Sequence, residues 1–136
     1  MSKKILGVVA GLMVWVSIVV VVGEAMRSSW PAYASVATAM TFTLPMLVAR
    51  LSISVLATLA AGLVTASIAP RSMLVRLMPG LLLVVAFVPV HISLWDRFPI
   101  WYHLSFLLSL VPLTYLGGTM WCQRQGGVTV IAETSA

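Results

Sequence analysis

Four long apolar runs divide the chain, at residues 5–22, 45–69, 73–90 and 99–120. The first run, taken as a helix that rises 1.5 Å per residue, reaches about 27 Å, which is close to the ~30 Å hydrocarbon core of a bilayer. Most charged residues fall between the runs or near the ends of the chain. The pattern predicts an all-α fold, an integral membrane bundle of four transmembrane helices that forms one domain over residues 1–136.

The first run could also be a cleaved signal peptide. Lys3 and Lys4 precede it, and residues 32–34 have the small-x-small pattern of a cleavage site. However, a signal peptide has an apolar segment of about 7–15 residues, and its cleavage site follows directly. Because this run is longer and the candidate site lies far beyond its end, we expect an uncleaved first helix.

The second helix has two possible starts. If Thr43 precedes it, Pro45 lies in the first turn, where the missing N–H costs little. If it begins near Ala34, Pro45 becomes a kink. The later start is favoured, and Pro70 ends the run. Ser72 is then a candidate cap for the third helix, and so tight a connection predicts an antiparallel hairpin.

Prolines also fall inside the third and fourth runs, and the last residues of the chain are polar. We expect Pro79 and Pro112 to bend their helices, because proline removes a backbone donor and clashes with the preceding turn. We expect residues 123–136 to form a disordered tail.

The composition requires lipid as the main solvent. Hydrophobic residues make up 61% of the 136 residues and charged residues 8%, whereas soluble domains are about 25% charged. The net charge of +5 comes from basic residues that are scattered at the ends of the runs and form no stripe. This distribution is typical of contact with anionic lipid headgroups, and we expect no nucleic-acid binding.

The basic residues favour one orientation in the membrane. If the N-terminus is cytoplasmic, the inner side holds Lys3, Lys4, Arg71, Arg76 and Arg124, and the outer side holds Arg27 and Arg97, with Arg50 at its margin. Lysine and arginine are in excess at the cytoplasmic ends of transmembrane helices. The count predicts that both termini are cytoplasmic (N-in, C-in).

Glu24, Arg27 and Arg50 are candidates for a polar vestibule at the outer side. Arg50 lies inside the second helix, where a charge costs a few kcal/mol or more. It either faces the bundle, to meet an anionic ligand or Glu24, or snorkels to the headgroups, which its shallow depth favours. Glu24 and Arg27 have ion-pair spacing. A carboxylate at the rim fits a structural salt bridge better than the midplane carboxylate of a proton-coupled multidrug exporter.

His91, Asp96 and His103 are the residues that come nearest to a metal-binding set. They flank the connection between the third and fourth helices, and imidazole and carboxylate both ligate zinc. Their spacing matches no established signature. We therefore predict no metal and no cofactor, and expect two interfacial histidines and a capping aspartate. The single cysteine, Cys122, excludes an internal disulfide.

Small residues indicate where the helices approach one another. Gly7 and Gly11 form a GxxxG in the first helix, and the second helix carries a stripe of small residues that includes Ala61 and Gly62. Helix association in lipid depends on van der Waals contact, which small residues permit by letting backbones come close. We expect these residues to pack helices within the chain rather than to form a homodimer face.

The sequence carries no catalytic signature. It has no GxSxG, HExxH, Walker or Rossmann motif, and its few histidines and acids leave little to activate a nucleophile. The first hypothesis is a non-enzymatic membrane protein that packs against itself or a membrane-protein partner. The alternative is a small oligomeric transporter or channel whose outer vestibule involves Arg50 and Glu24, since four thin helices do not readily enclose a path alone.

The order of these features resembles a loose group of uncharacterised small bacterial four-helix inner-membrane proteins. The resembling features are a lysine-led first helix ending in Glu24, Pro31 after an aromatic residue, the close of the second helix at residues 66–69, and the fourth helix that opens at 99–101 and ends at 116–118. Members are richer in glycine where this chain has residues 60–62. The resemblance implies a multi-pass protein of the bacterial inner membrane, with no activity assigned.

Reporter fusions test the orientation. Alkaline phosphatase folds only where its disulfides form, outside the cytoplasm. Fused after Arg124 it should be inactive, and fused after Asp96 it should be active. The reverse pattern would show that the termini are periplasmic.

Overall fold

The computed structural model describes residues 2–69 and 72–134, with side chains over 3–69 and 72–125. Over these ranges the chain forms five helices: α1 (Ser2–Ser29), α2 (Pro31–Ala37), α3 (Leu44–Ile68), α4 (Met73–Ser93) and α5 (Ile100–Thr134). The four long helices are each long and apolar enough to cross a membrane. The prediction of an all-α bundle with four such helices is confirmed.

The first helix is longer than its apolar run. α1 continues beyond residue 22 to Ser29. The hydroxyls of Ser28 and Ser29 donate to the carbonyl oxygen of Ala25, in the last turns of the helix. The loss of apolar character after residue 22 therefore does not mark the end of the helix. α2 follows at once, with Pro31 in its first turn.

The second membrane-spanning helix takes the later of its two predicted starts. α3 begins at Leu44, with Thr43 in extended conformation before it and Pro45 in the first turn, although the Thr43 side chain makes no capping hydrogen bond. The preceding turn places Met40 at φ 57°, in the left-handed region. Arg50 therefore lies in about the second turn of α3.

The helical hairpin of α3 and α4 is capped at α4 as predicted. The Ser72 hydroxyl oxygen accepts a hydrogen bond from the backbone N–H of Val75 at 3.4 Å. Pro70 and Arg71, which enter the hairpin and orientation arguments above, lie outside the described residues. α4 runs on to Ser93 rather than to residue 90.

The last helix extends well beyond the predicted end near residue 120. The backbone of α5 is helical to Thr134, where the sequence predicts a disordered tail over 123–136. Extending an existing helix costs far less than nucleating a new one, so a polar composition does not by itself end α5. Residues 135–136 lie outside the described part of the chain.

α3 is the central helix and packs against α1, α4 and α5. It is antiparallel to α1, since Trp15 meets Thr58 while Gly7 meets Thr65. It is parallel to α5, since both helices begin at the same end of the bundle. We call that end, which carries α2, the α2 end, and the opposite end, where α1 begins, the terminal end.

The predicted glycines of α1 face α3. A Cβ added at Gly11 would lie 2.8 Å from the carbonyl oxygen of Ala61, and one at Gly7 would lie 3.1 Å from that of Thr65. Both distances are shorter than ordinary contacts of a real Cβ. The two glycines therefore let α1 approach α3 inside the chain.

The contact between α3 and α5 is closer still. A Cβ at Gly62 would overlap the backbone of Thr114, 2.9 Å from its Cα, and a Cβ at Gly117 would lie 3.1 Å from the Cα of Leu59. Gly80 of α4 also faces α5, and its Cβ would lie 2.7 Å from the Leu110 carbonyl oxygen. Backbone therefore meets backbone in the half of the bundle toward the terminal end.

Gly62→Ala should destabilise the protein by about 1–3 kcal/mol, because the added methyl meets backbone that side-chain rotation cannot move. The matched control is Gly23→Ala, since a Cβ there meets nothing within 4 Å. It should be neutral or stabilising by up to about 1 kcal/mol, because alanine favours helix. Unfolding in mild detergent titrated with dodecyl sulfate measures both, and equal effects of the two substitutions would contradict the packing described.

Candidate functional site

Arg50 faces the bundle at the α2 end and is held by tyrosines. Its Nη1 donates to the Tyr33 hydroxyl at 2.6 Å, and its Nε donates to the Tyr102 hydroxyl at 3.4 Å. Its guanidinium carbon also lies 4.8 Å from the centre of the Phe42 ring, within range of a cation–π interaction. Of the two interpretations given by the sequence, the structure shows the bundle-facing one.

Three elements bring these side chains to one depth in the membrane. α3 and α5 start at the same end, so the second turn of α3 stands beside the first turn of α5, which carries Tyr102. α2 adds Tyr33, whose ring stacks on Phe42 with centroids 5.1 Å apart. Tyr33 is only 4% exposed and Tyr102 only 6%. Both phenols are thus fixed by packing before they meet the guanidinium.

No carboxylate pairs with Arg50 among the residues whose side chains are described. Glu24 pairs instead with Arg27, with 3.9 Å between Oε2 and Nη1, and these side chains are 72% and 58% exposed. The structure therefore does not bring the three residues of the predicted vestibule together. Glu24 and Arg27 form an exposed pair at the end of α1, whereas Arg50 lies inside and keeps its charge uncompensated.

A cavity of about 140 Å³ opens beside Arg50, between α1 and α5 on the face of α3. Its wall is mostly aromatic and aliphatic. Its lining residues are Trp15, Val19, Gly23, Tyr33, Arg50, Ile53, Ser54, Phe87, Tyr102 and Phe106. The site is therefore a cation at the edge of an apolar space.

Ser54 adds a second polar group to this cavity, one helical turn beyond Arg50 along α3. The residue is 5% exposed, and its Oγ has no hydrogen-bond partner. A buried hydroxyl without a partner costs about 1–3 kcal/mol. Ser54 Oγ therefore keeps an unused hydrogen-bonding capacity in the wall of the cavity.

A smaller cavity of about 90 Å³ lies on another side of Arg50, lined also by His91 and His103. His103 is fully buried, and both of its ring nitrogens lack a hydrogen-bond partner. Its ring stacks on Trp95, with centroids 4.9 Å apart. His91 Nδ1 lies 3.1 Å from the carbonyl oxygen of Phe87.

The candidate metal-binding set comes together only in part. His91 and His103 contact each other, with ring centroids 5.1 Å apart, but Asp96 is exposed on the connection between α4 and α5. Within the described part of the chain, no three histidine, cysteine, aspartate or glutamate residues are grouped so as to hold a metal ion. The two histidines belong to an aromatic cluster around the Arg50 site.

A second arginine lies toward the terminal end. Arg76 Nη1 lies 3.8 Å from the Sγ of Cys122, and its guanidinium carbon lies 5.4 Å from the centre of the Tyr115 ring. The aliphatic part of the Arg76 side chain packs over Gly118. A Cβ added at Gly118 would lie 2.7 Å from the Arg76 Cδ. This side chain therefore fills the space between α4 and α5.

Sequence reasoning missed both tyrosines as partners of Arg50. They are 17 and 52 residues from Arg50 along the chain. One signal was available for Tyr102: Arg50 and Tyr102 both lie near the start of helices that enter from the same side. No such signal exists for Tyr33, whose position depends on how α2 folds back.

No protein-family model, curated protein or solved structure matches the chain. The chemistry of the site is read from its own side chains. They present a guanidinium oriented by two neutral phenols, an unpartnered hydroxyl and an apolar cavity. The chemistry of such a set suits a group that is negatively charged on one side and apolar on the other.

A double-mutant cycle on Arg50→Met and Tyr33→Phe should give a coupling energy of about 1.5–3 kcal/mol, because the hydrogen bond is partly buried and its donor is charged. The control cycle is Arg27→Met with Glu24→Gln, an exposed pair at the same end, which should give less than about 1 kcal/mol. Unfolding in detergent measures both cycles. A coupling for Arg50 no larger than the control would mean that the two side chains do not hold each other.

Proposed function

We propose that the protein is a non-enzymatic, multi-pass component of the bacterial inner membrane that acts by binding an anionic group of a ligand or membrane-protein partner through Arg50. In the proposed orientation both termini are cytoplasmic, and the α2 end faces outward. The observation that carries the proposal is the Arg50 guanidinium, fixed by Tyr33 and Tyr102 beside a cavity and paired with no carboxylate among the described residues.

The electrostatics of Arg50 support an anion as the bound group. A charge in a membrane-spanning helix is costly unless it is compensated. Phenol oxygens accept hydrogen bonds from the guanidinium, but they are neutral and leave its charge in place. Arginine presents a planar fork of donors that matches a carboxylate or a phosphate. A bound oxyanion would supply the missing charge and use the N–H groups that the tyrosines leave free.

The surroundings of Arg50 support binding rather than catalysis. Rings and aliphatic side chains form most of the wall, which is typical of ligand sites whose few polar groups fix orientation. The histidines next to Arg50 pack in an aromatic cluster, and Ser54 has no base hydrogen-bonded to its hydroxyl. Activation of a serine nucleophile needs such a base.

A small oligomeric transporter or channel remains the second proposal, and the geometry supports it less. Glu24 lies outside the cavity and pairs with Arg27, so only Arg50 remains of the proposed vestibule. Between the cavity and the terminal end, Gly62 and Gly117 bring α3 and α5 into backbone contact. A path through one copy would have to open this contact, so transport would require a path between copies.

Native mass spectrometry of protein extracted gently from its own membrane tests the proposal. We expect an additional bound mass on the wild type, kept by Arg27→Gln and lost by Arg50→Gln. The two variants each remove one arginine at the same end of the bundle, but only Arg50 borders the cavity. A bound mass that survives Arg50→Gln would show that Arg50 is not the binding group.

The same spectra separate the two proposals. A homo-oligomer without any Arg50-dependent mass would favour the transporter, and flux in reconstituted vesicles would then be measured. A mass equal to one different protein would favour an accessory role, and a mass of a small molecule would favour ligand binding.

A further inference from the structure

We propose that the anion bound at Arg50 is the head of a single-chain amphiphile, a carboxylate or phosphate whose apolar chain occupies the 140 Å³ cavity between α1 and α5. This inference rests on the proposed function and adds the class of ligand. The juxtaposition that carries it is a guanidinium that pairs with no described carboxylate, at one edge of a cavity whose remaining wall is mostly apolar, with the buried, unpartnered hydroxyl of Ser54 in that wall.

The size and lining of the cavity call for an apolar occupant. Trp15, Ile53, Phe87 and Phe106 offer no free hydrogen-bonding group to water in the cavity, since the Trp15 indole N–H already donates to Thr58 Oγ1 at 3.0 Å. In a soluble protein, an apolar cavity of about 150 Å³ stays dry and binds benzene. A cavity of 140 Å³ thus fits a segment of one chain and is too small for two.

Arg50 and Ser54 line the cavity one helical turn apart on α3, and this pair of polar residues suits an acidic head. Arg50 has N–H donors that neither Tyr33 nor Tyr102 uses, and Ser54 Oγ is one turn away on the same face of α3. A carboxylate or phosphate has several acceptor oxygens and could accept from both residues. The head would then satisfy the buried hydroxyl and compensate the buried charge together.

The cavity runs from Arg50 toward the bilayer centre, in the same direction as the chains of a lipid monolayer. Trp15, Val19 and Gly23 line it at four-residue intervals along one face of α1, and Gly23 lies nearest the α2 end. From Gly23 to Trp15 is a rise of about 12 Å toward the bilayer centre. A ligand with its head at Arg50 and its chain toward Trp15 would therefore be oriented like the surrounding lipids.

Gly23 offers a way for the chain to enter from lipid. A Cβ there meets no atom within 4 Å, so the wall of the cavity is open at this position on α1. The neighbouring Val20 is 61% exposed, on the lipid-facing side of the helix. Gly23 therefore lies at the border between the cavity and lipid, and a larger side chain there would fill the cavity without displacing backbone.

A brominated probe tests the inference directly. The protein is placed in phosphatidylcholine nanodiscs and titrated with 12-bromododecyl phosphate, whose bromine quenches tryptophan. The Trp15 signal is the difference between wild type and Trp15→Phe. We expect saturable quenching of Trp15, and none that saturates with 12-bromododecyl trimethylammonium, which has the same chain and a cationic head. 12-Bromododecanoate shows whether a carboxylate head serves as well as a phosphate.

Two sets of variants separate the head from the chain. Arg50→Gln should weaken binding by at least about tenfold, with Arg50→Lys intermediate because it keeps the charge and loses the planar fork. Gly23→Leu should abolish saturable quenching, whereas the lipid-facing Val20→Leu should preserve it. Since a Cβ at Gly23 meets no atom, folding of the leucine variant is expected.

The outcomes distinguish this inference from the proposed function. If inorganic phosphate displaces the probe at equal concentration, and Gly23→Leu binds like the wild type, the site holds a head without a chain. The inference then fails while the proposed function stands. If quenching never saturates and Arg50→Gln changes nothing, both fail.

Discussion

The close approach of α3 to its neighbours is the constraint on which the rest of the structure depends. In lipid there is no hydrophobic force between helices, so they stay together only where their backbones come close enough for dense van der Waals contact. Gly62 against Thr114 and Gly11 against Ala61 supply that contact. α3 carries small residues on the faces toward α1 and α5, and it therefore becomes the centre of the bundle.

Because of this contact, the helices pack more closely in one half of the bundle than in the other. Toward the terminal end, glycine and alanine bring the helices together. Toward the α2 end, the same helices face each other through large rings, including Trp15, Phe87 and Phe106. The two cavities lie among these rings. Tight packing in one half is thus accompanied by open space in the other.

Arg50 makes use of that open half. Because α3 and α5 run parallel, Tyr102 stands at the depth of Arg50, and α2 folds back to bring Tyr33 to the same group. Two phenols orient the guanidinium without neutralising it, so the cation faces the cavity with donors to spare. A salt bridge would instead compensate the charge of the arginine. Glu24 and Arg27 form one at the exposed end of α1, and their charges compensate each other there.

The sequence by itself determined the membrane spans, the turn chemistry and the small residues that pack the helices. These features are local: run length sets a span, Ser72 caps α4 through the next turn, Pro45 fits a first helical turn, and Gly62 allows close approach wherever it lies. Only the tertiary structure decided which side chains meet Arg50, and that Glu24 does not. The physical reason is that lipid is as apolar as the interior of a bundle. Hydrophobicity along an apolar helix therefore does not show which face is inside, and contacts across 17 or 52 residues are set only when the helices pack.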